Sequence, residues 1–193
     1  MYHKHNTEGV VIGGSERGET SRSIVLFTRD FGLIHVSVQA GRAMASKLRY
    51  GVQDFTLGNF TLIKGRHTWK LVGAEEKLNI LPDIKDKKVV LANIFNLISK
   101  FSGEDKNEKL YDIVLDSIPL FKDVEEREEL KALESLIVLR ILENLGFVRG
   151  ASIFFDCINS KDVTKGDINF VKNKRFEAVS MINESIEAAK GMV

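Results

Sequence analysis

Residues 33–40 constrain this chain most tightly, because they alternate apolar and polar side chains. Ile34, Val36 and Val38 fall on one face of a strand, and His35, Ser37 and Gln39 on the other. A strand of that kind covers a core on one side and meets water on the other. It runs directly into residues 41–51, which open on Gly41 and carry Arg42, Lys47 and Arg49 with no acid among them. A sheet that leads into an uncompensated basic segment is built to hold something anionic.

Four further short strands are expected around it. Val10-Val11-Ile12 is the first, ending in a glycine-rich turn at residues 13–18. Residues 23–28 form the second, and Asp30-Phe31-Gly32 turns the chain into the alternating third. Residues 55–63 form the fourth. Phe55 and Leu57 share one phase there, Phe60 and Leu62 the other, and a bulge at Gly58-Asn59 would bend the strand. Residues 69–72 form the fifth, after a Lys64-Gly65-Arg66-His67 turn. Phe27, Phe55, Phe60 and Trp69 are read as packing. Five short strands in about 75 residues fit a small closed barrel of the oligonucleotide-binding (OB-fold) type better than a sandwich.

After Pro82 the period becomes helical. Val90, Ile94, Leu97, Ile98 and Phe101 trace one helix face, closed by Ser102-Gly103. Leu110, Val114 and Ile118 trace a second, stopped by Pro119. A third starts with Asp123 and Glu126 in capping-box spacing and ends at Gly146. A last helix spans residues 173–190 with Phe176, Val179, Ile182 and Ile186 inward. The expected class is α+β, with an OB-fold barrel over residues 1–80 followed by an α-helical bundle over residues 81–193.

Charge divides along the same line. Residues 1–80 hold 11 Lys and Arg against 7 Asp and Glu, whereas residues 81–193 hold 17 against 20. The front half therefore faces the anion and the back half has other work. A lone cysteine, Cys157, can neither close an internal disulfide nor build a zinc site, and is read as a buried small apolar residue. The polar start, the absence of a long apolar run and the single cysteine point to a cytoplasmic protein.

Few motifs carry chemistry. Residues 13–20, GGSERGET, have the glycine spacing of a phosphate-binding loop, but Glu19 replaces the lysine that meets the phosphates, so the segment is read as a hairpin turn. His3 and His5 lie at a terminus expected to fray, without further ligands. No cofactor and no metal are expected, and no nucleophile with its base is visible in the spacing. The acids of residues 125–129 suit a helix start. What remains is cationic. Arg42, Lys47 and Arg49 share one loop, and Lys64 and Arg66 share another. At least three of these five are expected on phosphates, with Tyr50 either stacking on a base or packing on the rim.

Several segments in order resemble the RecO family, bacterial DNA repair proteins and recombination mediators. Thr7-Glu8-Gly9-Val10-Val11 resembles that family's first strand. Residues 18–22 followed by Phe27-Thr28-Arg29-Asp30-Phe31-Gly32 are similar to its second strand and turn. Residues 40–49 with Gln53-Asp54-Phe55 resemble its basic loop and fourth strand, and residues 139–147 the end of its central helix. The resemblance spans about residues 7–150. It implies a non-enzymatic protein, associated with the nucleoid, that binds single- and double-stranded DNA, anneals strands and helps load the RecA recombinase. It implies as partners RecR and the acidic tail of single-stranded DNA-binding protein. By position, Arg42, Lys47 and Arg49 become the DNA-contacting loop, Arg22 and Arg29 weaker contacts, and Arg140 either a contact for an acidic tail or a salt-bridge partner within the bundle. The four-cysteine zinc module of many relatives has no counterpart beyond Cys157, and the helical part looks reduced. The competing expectation is a protein-interaction adaptor whose barrel binds little DNA.

Overall fold

The alternation in residues 33–40 becomes strand β3, Gly32–Gln39, in which Ile34, Val36 and Val38 are buried and His35 is exposed. The computed structural model describes residues 3–17, 21–39, 51–66, 68–148 and 153–191. Around β3 stand β1 (Lys4–Arg17), β2 (Ser21–Thr28), β4 (Thr56–Lys64) and β5 (Trp69–Asn79). They close into a barrel in the order β1-β2-β3-β5-β4, with β1 antiparallel to both β2 and β4 and β3 parallel to β5. Closure leaves no open sheet edge. Its core is Val11, Ile24, Leu26, Ile34, Val36, Phe60, Leu62, Trp69 and Leu71, with neighbours. Each such side chain contributes roughly 1.5–3 kcal/mol of burial.

Three expectations about these strands are corrected. Residues 13–17 are not a turn, because β1 runs on through them, pairing Gly14 with Ile24 and Glu16 with Arg22. The glycines follow an irregularity between Val11 and Gly13, where Ile12 is the extra residue that bends the strand. Strand β4 does not change phase. Thr56, Gly58, Phe60 and Leu62 are buried throughout, and Leu57 is half-buried on the other side. The register does shift beside Gly58, but the extra residues are Lys77 and Val72, so the bulges belong to β5. Phe55 precedes the strand with φ +66°, half-buried rather than in the core. Its N–H donates to the Val11 carbonyl (2.6 Å) and its carbonyl accepts from Ile80 (2.9 Å), which holds it in a region that non-glycine residues rarely occupy.

One compact unit contains residues 1–81 and also residues 102–111. Within it, Leu33 N–H donates to the Gly103 carbonyl at 2.9 Å, and Tyr111 is fully buried with its ring 5.4 Å from that of Phe27. Gly32 makes this approach feasible. It sits at φ +64°, and a Cβ there would overlap the carbonyl oxygens of Asp105 and Gly103.

The second unit, residues 82–101 and 112–193, is helical. It contains α1 (Lys85–Phe101), most of α2 (Glu108–Ser117), α3 (Leu120–Asp123), α4 (Arg127–Asn144), α5 (Phe155–Asn159), α6 (Lys165–Asn173) and α7 (Arg175–Lys190). Helix α4 is buried on nearly every side by α1, α5, α6 and α7. It ends as expected at Gly146, φ +79°, where Gly146 N–H bonds Glu143 O and Phe147 N–H bonds Leu142 O, a Schellman closure. The expected capping box at Asp123 and Glu126 is absent. Asp123 ends α3, Val124 is extended, and Glu126 precedes α4 without a side-chain cap. The box sits instead at α6, where Thr164 and Asp167 cap each other. The expected last helix is found as α7, but Phe176 and Val179 are exposed rather than inward. Ala178, Ser185 and Ala189 face the interior, since only small residues fit that close to α4. Cys157 is buried as expected, and burial pushes its thiol up.

Candidate nucleic-acid interface

Among the described residues of the barrel unit, cations divide by what stands opposite them. Arg22 lies on β2 beside Val38, on the inward-facing row but at the barrel's end, where its Nη2 meets Asp54 Oδ1 at 2.8 Å. Arg29 follows β2. Its Nε is 3.8 Å from Glu8 Oε1 and its guanidinium lies 4.8 Å from the Tyr111 ring centroid. Glu8 also takes Lys77 Nζ at 2.5 Å and the Tyr111 hydroxyl at 3.3 Å. Lys106 pairs with Glu108, whose hydrogen bond raises the lysine's pKa. Exposed pairs of this kind contribute at most about 1 kcal/mol, but their fields cancel within about a Debye length, near 8 Å.

The turn between β4 and β5 is different. Gly65 N–H bonds the Thr68 carbonyl at 3.0 Å and closes the turn. Lys64 and Arg66 are both exposed there, and Lys64 Nζ lies 5.2 Å above the Trp69 ring. Lys4 on β1 and Lys70 on β5 reach the same end, because Lys4 pairs in register with Ile63 and Ile63 with Lys70. Among the described residues, none of these four cations has a carboxylate within ion-pair distance.

Sequence spacing gave no sign of Lys4 or Lys70. Lys4 sits in what looked like a frayed terminus, yet β1 begins there. His5 beside it packs edge-on against Phe31 (5.6 Å) and Trp69 (5.4 Å), which fixes the strand start. The register of β1 on β4 was the missing signal. Among the described residues no group of three His, Cys, Asp or Glu assembles as a metal site.

The barrel's acids lie farther along the same strands. Glu8, Asp30 and Glu75, with Asn6, Asn59 and Thr61, line an open depression of ≈ 610 Å³. Arg42, Lys47 and Arg49, with Tyr50, fall outside the described residues. Arg140, in the helical unit, makes no ion pair among the described residues. Its Nη2 donates to the carbonyls of Ser160 (2.6 Å) and Lys161 (3.4 Å) behind α5, and burial holds its pKa below the usual arginine value despite nearby Asp116 and Asp167.

The chain thus pairs a closed five-stranded barrel, cationic at one turn, with a helical unit, and no described helix is long and apolar enough to cross a membrane. Residues 1–75 match the family described as Recombination protein O N terminal. The chain is 29% identical over 144 residues to the DNA repair protein RecO of Alkaliphilus metalliredigens, an alignment covering 72% of this chain and 57% of that protein. With the DNA repair protein RecO of Bacillus velezensis it shares 27% over 142 residues, covering 72% and 54%. With that of Thermoanaerobacter sp. it shares 28% over 111 residues, covering 54% and 44%. The first 75 residues thus match the RecO family, and each of these relatives bears that name. It spans about half the length of the curated relatives it matches.

Proposed function

We propose that this chain is a non-enzymatic DNA-binding mediator of repair and recombination, acting through an OB-type barrel over residues 1–80, with residues 81–193 as a helical docking domain. The observation that carries the reading is the match of residues 1–75, the barrel short of the end of β5, to the RecO N-terminal family, together with relatives named DNA repair proteins. The barrel's strand order and the exposed cations at its β4–β5 turn support it. Lys64 and Arg66 neutralise phosphates at that turn, and Arg42, Lys47 and Arg49 do the same from the segment between β3 and β4. Arg22 and Arg29 serve first as internal ion-pair partners, and Arg140 as a clamp on the α5 terminus.

The mechanism needs no catalytic group. Each phosphate neutralised releases condensed counterions, so affinity falls with salt and varies little with sequence. Two strands held on cationic surfaces repel each other less and meet at higher local concentration, which is annealing. Loading of recombinase follows from docking RecR and the tail of single-stranded DNA-binding protein on the helical domain. The test is fluorescence anisotropy of labelled single- and double-stranded oligonucleotides with the full chain across a salt series. Binding with a steep negative salt slope is expected. No binding at low salt would reduce the chain to an interaction adaptor.

A further inference from the structure

Strand register creates a row on the outside of the barrel that no single segment of sequence contains. Lys4 stands beside Ile63, Ile63 beside Lys70, Lys70 beside Ser37, and Ser37 beside Ser23. Residues paired across a ladder share a face. This face is the outer one, because Leu62, Leu71, Val36 and Ile24, each next along its strand, are buried in the core. Lys4 and Lys70 are two strand spacings apart, about 10 Å. Lys70 leans toward the turn, since its Cε lies 4.0 Å from where a side chain on Gly65 would begin. The row is thus continuous with Lys64 and Arg66.

Its surroundings give it a direction. Farther along β5, Glu75 and Glu76 are exposed, and Asn59, paired with Glu75, adjoins Glu8. A polyanion following β4 and β5 along their length would run into these acids. Crossing the strands, it would meet hydroxyls and, among the described residues, no acid, because Ser37 and Ser23 continue the row beyond Lys70. Hydroxyl side chains and lysines are common donors to phosphate oxygens.

We propose that this row is a phosphodiester track: Lys4 and Lys70 hold phosphates, Ser37 and Ser23 donate hydrogen bonds beyond them, and a nucleic-acid strand crosses the barrel transversely, turned away from Glu75 and Glu76. The proposal rests on the DNA-binding reading above and adds residues and a path to it. The acids work as a boundary, which fixes orientation as well as affinity.

The test is anisotropy of a labelled oligothymidine with the full chain over a salt series. Lys4→Ala with Lys70→Ala should weaken binding about tenfold and make the log–log salt slope shallower by about 1.4, two single-strand phosphate contacts. Ser37→Glu, which sets an acid in mid-row, should weaken binding at least as much as Lys4→Ala alone. Lys88→Ala with Lys131→Ala removes the same charge from the helical unit and should leave the slope unchanged. Both barrel lysines are exposed, so unchanged melting of the double variant accompanies the expected result. If the unmodified chain binds and the Lys4/Lys70 variant keeps its slope, the track is wrong and DNA binding stands. If the helical-unit control loses as much, binding responds to net charge alone and the track is equally wrong. If the unmodified chain does not bind, both readings fall.

Discussion

The barrel carries two sets of cations that look alike in sequence and differ in what faces them. Arg22, Arg29, Lys77 and Lys106 each meet a carboxylate, whereas Lys4, Lys64, Arg66 and Lys70 meet none among the described residues. The first set is neutralised where it stands, and Arg29 also lies over the Tyr111 ring. The second leaves a net field at one turn. Availability of charge, rather than its density along the chain, separates a structural cation from a ligand-binding one.

The largest effect should come from breaking the scaffold of the paired set. Gly32→Ala places a Cβ against the carbonyls of Gly103 and Asp105 at a left-handed residue and should cost about 3 kcal/mol or more, read from urea midpoints. Gly13→Ala is the control. Nothing lies within 4 Å of a Cβ there, and its cost should stay within about 0.5 kcal/mol. Next is Arg140, a cation matched to carbonyls. Arg140→Lys loses the guanidinium nitrogen that reaches the Ser160 and Lys161 carbonyls and should cost about 1–2 kcal/mol without altering DNA affinity.

The comparison itself is sharpened by two binding measurements. Lys64→Ala with Arg66→Ala should weaken oligonucleotide binding about tenfold and reduce the salt slope by about 1.4, while Arg29→Ala leaves the slope nearly intact. The smallest effect runs the other way. Asp54→Asn frees Arg22 from its partner and should raise affinity about twofold, turning a paired cation into an available one. If Arg29→Ala matched the turn variant in slope, pairing would not be what divides the two sets.

Much of this was legible in the sequence where local pattern decides the outcome. The alternation of Ile34, Val36 and Val38 and the stop at Gly146 depend on residues within one element, and both were found as read. What failed depended on neighbours in space. Gly13 and Gly14 look like a turn until β2 is laid beside them. Phe176 and Val179 look inward by hydrophobicity, but the close approach of α7 to α4 selects Ala178, Ser185 and Ala189. Of the four cations unpaired among the described residues, only Lys64 and Arg66 were legible, two residues apart in one turn. Lys4 and Lys70 join them through ladder register, and Arg22 leaves them through an aspartate 32 residues away.

The central claim, that the cations without carboxylate partners at the β4–β5 turn hold the nucleic-acid backbone, is tested most directly by lysine footprinting. The full chain is acetylated with and without a saturating oligothymidine, and modification is read by mass spectrometry. Lys4, Lys64 and Lys70 should lose reactivity on binding, while Lys77, Lys88 and Lys131 keep theirs. Protection confined to the helical unit, or equal protection of Lys77 and the turn lysines, would contradict the account.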